Sequence, residues 1–261
     1  ILPVIAELGL PIVSHGVFSV GPKYGCTHHL TLKELGYNSS NDHEEIVERL
    51  ENKDIGWAYA DQSMFNPKLH NLMSLRKQII KRPVITTVEV LVKPVSSKND
   101  MFFTGFVHKP YPPIYLELSR NAQFNSATVI RGTEGGIIPS LRQTGKVHFY
   151  HSAGEQDDYY DVTPEDLGIV QSSRAVDIPE EITRKNTKDK IESKVDAVDI
   201  AKETIKSGTS ALSGNDGPML SCIQLGAAII LQRATGDDLD NCSKEVLRVL
   251  KSGAALKRMK R

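Results

Sequence analysis

Apolar residues along this chain fall into short runs and stretches of helical spacing, most of them closed by glycine or proline. Residues 4–8 have helical spacing and stop at Gly9, and Pro11-Ile12-Val13-Ser14 then reads as a short buried strand running into His15-Gly16. Residues 27–35 read as a helix closed by Gly36, since glycine accepts the left-handed conformation that ends helices. A helix follows over 43–52, capped by Ser40 or Asp42, then a strand over 55–60 and a helix over 67–80 that opens on Pro67. Residues 84–92 are rich in β-branched side chains and read as strand by propensity. Further strands are expected over 101–107, 127–131 and 147–151. Helices are expected over 112–121, 196–207, 219–235 and 242–253, the third long and largely apolar. Residues 172–194 are polar and read as a surface connection, and no internal repeat is visible. Short strands alternating with helices predict an α/β fold.

Composition narrows the class. The 261 residues suit one large α/β domain or two small ones, enough to bury a core without a disulfide or metal staple. Lys plus Arg equal Asp plus Glu at 32 each, so the overall field favours no polyanion, and phosphate or nucleic-acid binding needs a local basic patch. The cysteines are Cys26, Cys222 and Cys242, an odd count without a CxxC pair, which points to a reduced, cytoplasmic setting. No apolar run reaches the roughly 18 residues of a membrane span. Ile1 to Val13 lacks the basic start of a signal peptide, and opening at Ile1-Leu2-Pro3 without Met points to a fragment or processed chain.

Three segments offer chemistry. His15-Gly16 through Gly21-Pro22-Lys23-Tyr24-Gly25 follows a strand and precedes a helix, where backbone N–H groups and Lys23 can face a phosphate. Its spacing is neither GxGxxG nor Walker A, and on residues alone an ordinary glycine-rich turn is the better fit. Arg131-Gly132-Thr133-Glu134-Gly135-Gly136 also follows a strand, at the edge where α/β proteins bind ligands, or is again a turn. Its single carboxylate, Glu134, is a poor magnesium site. Arg76-Lys77 and Lys81-Arg82 place four cations in seven residues, as a phosphate patch or a solvated helix face. His28-His29, Asp42-His43 and residues 155–158 match no zinc spacing and read as surface polar groups. No nucleophile motif appears. The tail Lys257-Arg258-Met259-Lys260-Arg261 reads as a frayed positive helix end.

Taken together and in order, these segments resemble the anthranilate phosphoribosyltransferase family, glycosyltransferase family 3. The family's HGN-R…SSKSG loop and following LEALG helix resemble His15-Gly16-Val17-Phe18, Gly21 to Gly25, and Leu32-Lys33-Glu34-Leu35-Gly36. Its YHPAM…VRKELG segment resembles Phe65-Asn66-Pro67-Lys68-Leu69 and Leu75-Arg76-Lys77-Gln78-Ile79. VVHGxDGLDE resembles Val129 to Ile138, and LTPEDFGL resembles Val162-Thr163-Pro164-Glu165-Asp166-Leu167-Gly168-Ile169. NGxxGP…NAA resembles Ser213 to Pro218 and Gly226-Ala227-Ala228. The RGTEGG wording is similar to a divergent, second-type branch, of which one bacterial line has been described as nucleic-acid-binding.

The resemblance implies a central, mostly parallel sheet with helices on both faces, the nucleoside phosphorylase and phosphoribosyltransferase arrangement, across 1–261. Residues 66–94 would belong to a small helical lobe, which argues for helix over part of 84–92 and for a homodimer through that lobe. It further implies phosphate or phosphoribosyl contacts at His15, Gly16, Lys23, Gly25, Arg131 and Gly132, and an acceptor carboxylate at Arg76. The departures are specific. Val17 and Phe18 replace the Asn and Arg, Ile137-Ile138 replace the Asp-Glu metal pair, and the FN…GP signature falls on Ile85-Thr86 and Glu89-Val90. The family's glycine-rich pyrophosphate loop would precede Ile1. No metal ligand is therefore expected, and magnesium only if the family reaction is retained. Three readings remain: a phosphoribosyltransferase-like protein with degenerate motifs and a surviving phosphate cleft, an active transferase on another acceptor, or a nucleic-acid binder using Arg76, Lys81, Arg82 and Arg131. The partner is a phosphorylated small molecule or nucleic-acid phosphates, with no membrane.

Overall fold

The computed structural model describes residues 1–18, 25–38, 42–79, 84–183 and 195–261. The chain opens with α1 (Leu2–Glu7), β1 (Ile12–Gly16), α2 (His28–Glu34), α3 (His43–Glu51) and β2 (Trp57–Asp61). Thr27 caps α2 by accepting from the Leu30 N–H. Asp42 caps α3 in a reciprocal box: its side chain accepts from the Glu45 N–H, and Glu45 accepts from the Asp42 N–H, each at 3.0 Å. β1 and β2 pair in parallel through these crossover helices, with His15 opposite Ala60 and Gly16 opposite Asp61. The first four residues of β2 are buried, as suits a parallel strand covered on both faces.

Next come α4 (Gln62–Phe65), α5 (Pro67–His70), α6 (Met73–Gln78), α7 (Ile85–Val88) and a 3-10 turn at Glu89–Leu91. β3 (Met101–Phe106), α8 (Tyr111–Asn121) and β4 (Ser126–Arg131) form a second parallel crossover unit. A turn with a 3-10 segment at Thr133–Gly135 leads to β5 (Gly145–Tyr150) and β6 (Asp158–Val162), both antiparallel to their neighbours in the order β3-β4-β5-β6. A 3-10 turn at Pro164–Leu167 and α9 (Glu180–Thr183) precede α10 (Ala197–Leu212), α11 (Pro218–Thr235), α12 (Leu239–Ser252) and α13 (Ala254–Met259). The α/β class stands; the pairing within it is two parallel pairs, one of them extended by an antiparallel meander.

α11 is the hub. Its residues from Leu220 to Leu231 are buried without interruption, so no face is left for solvent. One core cluster joins Val4 and Ile5 of α1 to Ala227 and Ile230 of α11 and Val246 and Leu250 of α12, so the two ends of the chain share one interior. Arg258 closes this seam: its Nε reaches Glu7 at 2.6 Å, and its Nη1 donates to the Lys53 carbonyl at 2.8 Å.

Four expectations need correction. The helix expected over 67–80 breaks at Asn71-Leu72 into α5 and α6. α5 buries no residue, so nothing tertiary compensates for its short length. Within 84–92, residues 85–91 are helical, α7 and its 3-10 continuation, as the resemblance implied for part of the segment and against its β propensity, which expresses packing on a sheet; among the described residues this segment pairs with no strand. β6 was not foreseen: only Tyr160 and Val162 of its five residues are shielded, too few to show an alternation. The basic tail is not frayed, since Arg258 is held as described and Arg261 pairs with Asp54 at 3.0 Å.

Candidate functional site

Parallel pairing puts the carboxyl ends of β1 and β2 side by side, and the chemistry there starts from His15. Its Nε2 lies 3.3 Å from the Val90 carbonyl, so Nε2 carries the hydrogen, and the ring packs edge-on against Phe65 with centroids 5.6 Å apart. Burial lowers its pKa, against the opposing pull of the Val90 carbonyl. His15 therefore enters neutral solution as an uncharged ring offering Nδ1 as an acceptor, not as a cation for phosphate. At Gly16 an added Cβ would come to 3.3 Å from the Tyr59 hydroxyl, so a side chain there would crowd that ring.

The Tyr59 hydroxyl hydrogen-bonds His29 Nδ1 at 3.2 Å, and Asp61 Oδ2 lies 3.9 Å from the same nitrogen. Both Tyr59 and His29 are buried. Burial raises the Tyr59 pKa, with Asp61 adding to the effect, and lowers that of His29, with Asp61 opposing. Asp61 is held by Ser63, whose N–H and hydroxyl donate to it at 2.9 and 2.7 Å. Reading His28-His29 as surface polar groups is thus wrong for His29: α2 turns it inward onto β2, and only the His-Leu-Thr-Leu spacing hinted at that face. Asp61 carried no motif and could not be singled out from sequence.

Arg76 is already matched within the chain. Its Nη1 lies 2.5 Å from Glu89 Oε1, with the two side chains 12% and 17% exposed. Residues Glu89 and Val90, which stand where the resemblance has its FN…GP signature, thereby tie both α6 and the end of β1.

The β4 end is built differently. Arg131 is exposed at the last position of β4, opposite Phe106 of β3. The turn after it is compact: the Thr133 N–H donates to the Ile138 carbonyl at 2.9 Å, and a Cβ on either Gly105 or Gly132 would overlap the Gly136 carbonyl. Glu134 adopts the left-handed conformation at φ 52°. Ile137 and Ile138 pack inward on the α11 layer, and a Cβ on Gly226 would meet Ile138 at 3.1 Å. The two aliphatic side chains that the resemblance sets against the metal carboxylates are therefore packing residues here. Among the described residues no three His, Cys, Asp or Glu side chains converge on a metal site. Gly25 lies just before α2 at φ +76°. Lys23, Lys81 and Arg82 lie outside the described residues, so the structure brings together His15 and Gly16 at one edge and Arg131 and Gly132 at another, with Arg76 ion-paired.

Comparison with known proteins follows the same lines. The model of the glycosyl transferase family, a/b domain, matches residues 2–256. An anthranilate phosphoribosyltransferase of Aquifex aeolicus is 24% identical over 254 residues, covering 97% of this chain and 67% of that protein. An uncharacterized protein of the same organism is 30% identical over 134 residues, 51% of this chain and 38% of its own length. One from Novosphingobium aromaticivorans, again an anthranilate phosphoribosyltransferase, is 26% identical over 65% of this chain and 49% of its own length. The chain thus spans about half or less of these last two relatives. Among solved structures, the anthranilate phosphoribosyltransferase of Thermus thermophilus superposes with TM-score 0.70 at 19% identity, over 100% of this chain and 70% of that one. The Saccharomyces cerevisiae enzyme in complex with PRPP and Mg gives 0.69 at 16% identity, over 99% and 66%. No helix among the described residues is long and apolar enough to cross a membrane.

Proposed function

We propose that this chain, which belongs to glycosyltransferase family 3, is an anthranilate phosphoribosyltransferase-like body that binds a phosphorylated ligand at the carboxyl ends of its parallel strands. The observation that carries the reading is Arg131: an exposed guanidinium at the end of β4, set in a compact glycine-rich turn, with no ion-pair partner among the described residues. A cation exposed at a strand end without a carboxylate beside it suits an anion. The yeast relative was solved with PRPP and Mg. Here the side chains of Ile137 and Ile138 offer a hard cation no oxygen, and Arg76 offers its guanidinium to Glu89. Binding of a phosphoribosyl ligand without a magnesium requirement follows, and transfer to a carboxylate acceptor is disfavoured.

A nucleic-acid reading draws on Arg76, Lys81, Arg82 and Arg131. Arg76 is matched internally and the net charge is zero, so the small phosphorylated ligand is the better fit. Exposed Leu72, Leu75, Ile79, Val84 and Val88 support the expectation that residues 66–94 pack against further helices, in the protein or a second copy. A cytoplasmic setting belongs to the same reading. The test is a thermal shift with PRPP, with and without Mg²⁺, on the wild-type chain and Arg131→Ala. A shift in the wild type that Mg²⁺ does not enlarge, and that Arg131→Ala loses, is expected. No shift with PRPP overturns the proposal, and a shift that needs Mg²⁺ overturns its metal-free part.

A further inference from the structure

Arg233 sits in the last turn of α11 with 8% of its surface exposed. Its guanidinium lies 3.7 Å over the Phe149 ring, and its Nη2 is 3.0 Å from Nδ1 of His151, the residue that follows β5. Its Nε is buried and has no hydrogen-bond partner. Among the described residues no carboxylate pairs with it, whereas the shielded cations Arg76, Lys93 and Arg258 each hold one. A buried guanidinium that keeps its charge is thus held by one ring face and one imidazole lone pair.

Chemistry fixes the direction of that hydrogen bond. Arginine only donates, so His151 Nδ1 is the unprotonated nitrogen and the ring hydrogen sits on Nε2. A second proton on the ring would replace the accepting lone pair by an N–H aimed at an N–H, with two positive charges at hydrogen-bond distance. Arginine does not give up its proton, so His151 is the group that must yield, and it is exposed to solvent while Arg233 is not. The neighbours do not compensate. Tyr160 and Asp158 of β6 favour the charged arginine, but burial pushes Tyr160 up to about 12, which leaves it neutral throughout the histidine range. Asp237 and Asp238, between α11 and α12, act on Cys242. From α8, Arg120 holds the same β5–β6 connection independently. Its Nε and Nη2 donate to the Ala153 and Glu155 carbonyls at 3.0 and 2.8 Å, and Nη2 meets Asp157 at 2.6 Å. The connection is therefore fastened twice, from α8 by contacts that contain no histidine and from α11 by one that does.

We propose that the Arg233–His151 contact is a pH-operated latch. Closed, with His151 neutral, it fastens the β5–β6 connection to the end of α11; protonation of His151 opens it while the rest of the sheet stays folded. The open state is the one that takes up the proton. Closure is therefore complete above about pH 6.5, where a histidine in water titrates, and is lost as the pH falls below it. The latch is independent of the ligand reading above, since it uses neither strand end assigned to a ligand.

The experiment is amide hydrogen exchange read by mass spectrometry at pH 7.5 and 5.5, each rate divided by its intrinsic rate at that pH. Peptides covering residues 151–158 are expected to lose at least about tenfold in protection at pH 5.5, the worth of one hydrogen bond to a charged group. Peptides within α11 are expected to keep theirs. His151→Gln, whose amide oxygen accepts from Arg233 at either pH, is expected to stay protected at both. His151→Leu, which cannot accept, is expected to exchange fast at both. His148 lies on the same strand, with its pKa lowered by burial and by Lys146, so it also gains a proton on acidification. His148→Gln is expected to retain the full loss over 151–158, and if it abolishes that loss the latch is wrong. Equal protection of the wild type at the two pH values, or the same loss in His151→Gln, also overturns it. An NMR titration of the wild type gives the same test without a substitution. The Arg233 Nε signal is expected to move as His151 protonates, and protonation of His151 with that signal unchanged overturns the latch.

Discussion

Replacing Glu89 by Ala removes the carboxylate paired with Arg76 and leaves a guanidinium that is 12% exposed without that counter-charge. Exposed ion pairs contribute about 0–1 kcal/mol, whereas breaking a fully buried pair costs about 3–5 kcal/mol because a charge is stranded. With 12% and 17% exposure and a 2.5 Å contact, this pair stands nearer the buried limit, and some solvent screening brings the expected loss to about 2 kcal/mol. The measurement is a double-mutant cycle by urea unfolding on wild type, Arg76→Ala, Glu89→Ala and the double variant. A coupling of at least about 1 kcal/mol is expected, with the double variant less destabilised than the sum of the singles. A coupling below about 0.3 kcal/mol, within the additivity of independent sites, refutes the ion pair as a structural element. The same variant carries a functional readout. With Arg76 released, anthranilate is expected to bind Glu89→Ala at least about tenfold more tightly than wild type, one charge-assisted hydrogen bond. Equal binding by both proteins removes Arg76 from the acceptor site.

Gly132→Ala is expected to destabilise the chain by about 1–3 kcal/mol, since its Cβ has no space beside the Gly136 carbonyl; an unchanged melting temperature would show that the turn gives way freely. His15 and His29 both have lowered pKa values through burial. The unfolded chain, whose histidines titrate near about pH 6.5, therefore takes up protons first, so their contribution to stability is full above that pH and is lost as pH falls through the folded values. Urea midpoints measured from pH 7.5 to 5 are expected to drop more steeply in the wild type than in a His15→Gln, His29→Gln variant, and parallel slopes would refute this. Asp42→Ala is expected to cost about 1 kcal/mol through the α3 capping box, read by the same urea assay.

The sequence by itself carried the α/β class, the family resemblance and most element positions, because glycine stops, caps and apolar runs are local signals. Gly9, Gly36 and Gly253 close or follow helices at φ values of +86°, +87° and +69°, a conformation that glycine adopts at little cost. It also marked the Arg131 turn as a candidate ligand loop or an ordinary turn, from the position of a glycine-rich loop after a strand. What it could not carry was pairing across long separations. Glu89 meets Arg76 from 13 positions away, and Asp61 approaches His29 from 32. The β-branched run at 84–92 went to helix because a strand needs a neighbour to pair with, and the tertiary fold gave it a charged partner and a histidine instead. Which cations are neutralised and which stay free for a ligand is decided by packing, since a salt bridge depends on distance and burial that no local pattern records.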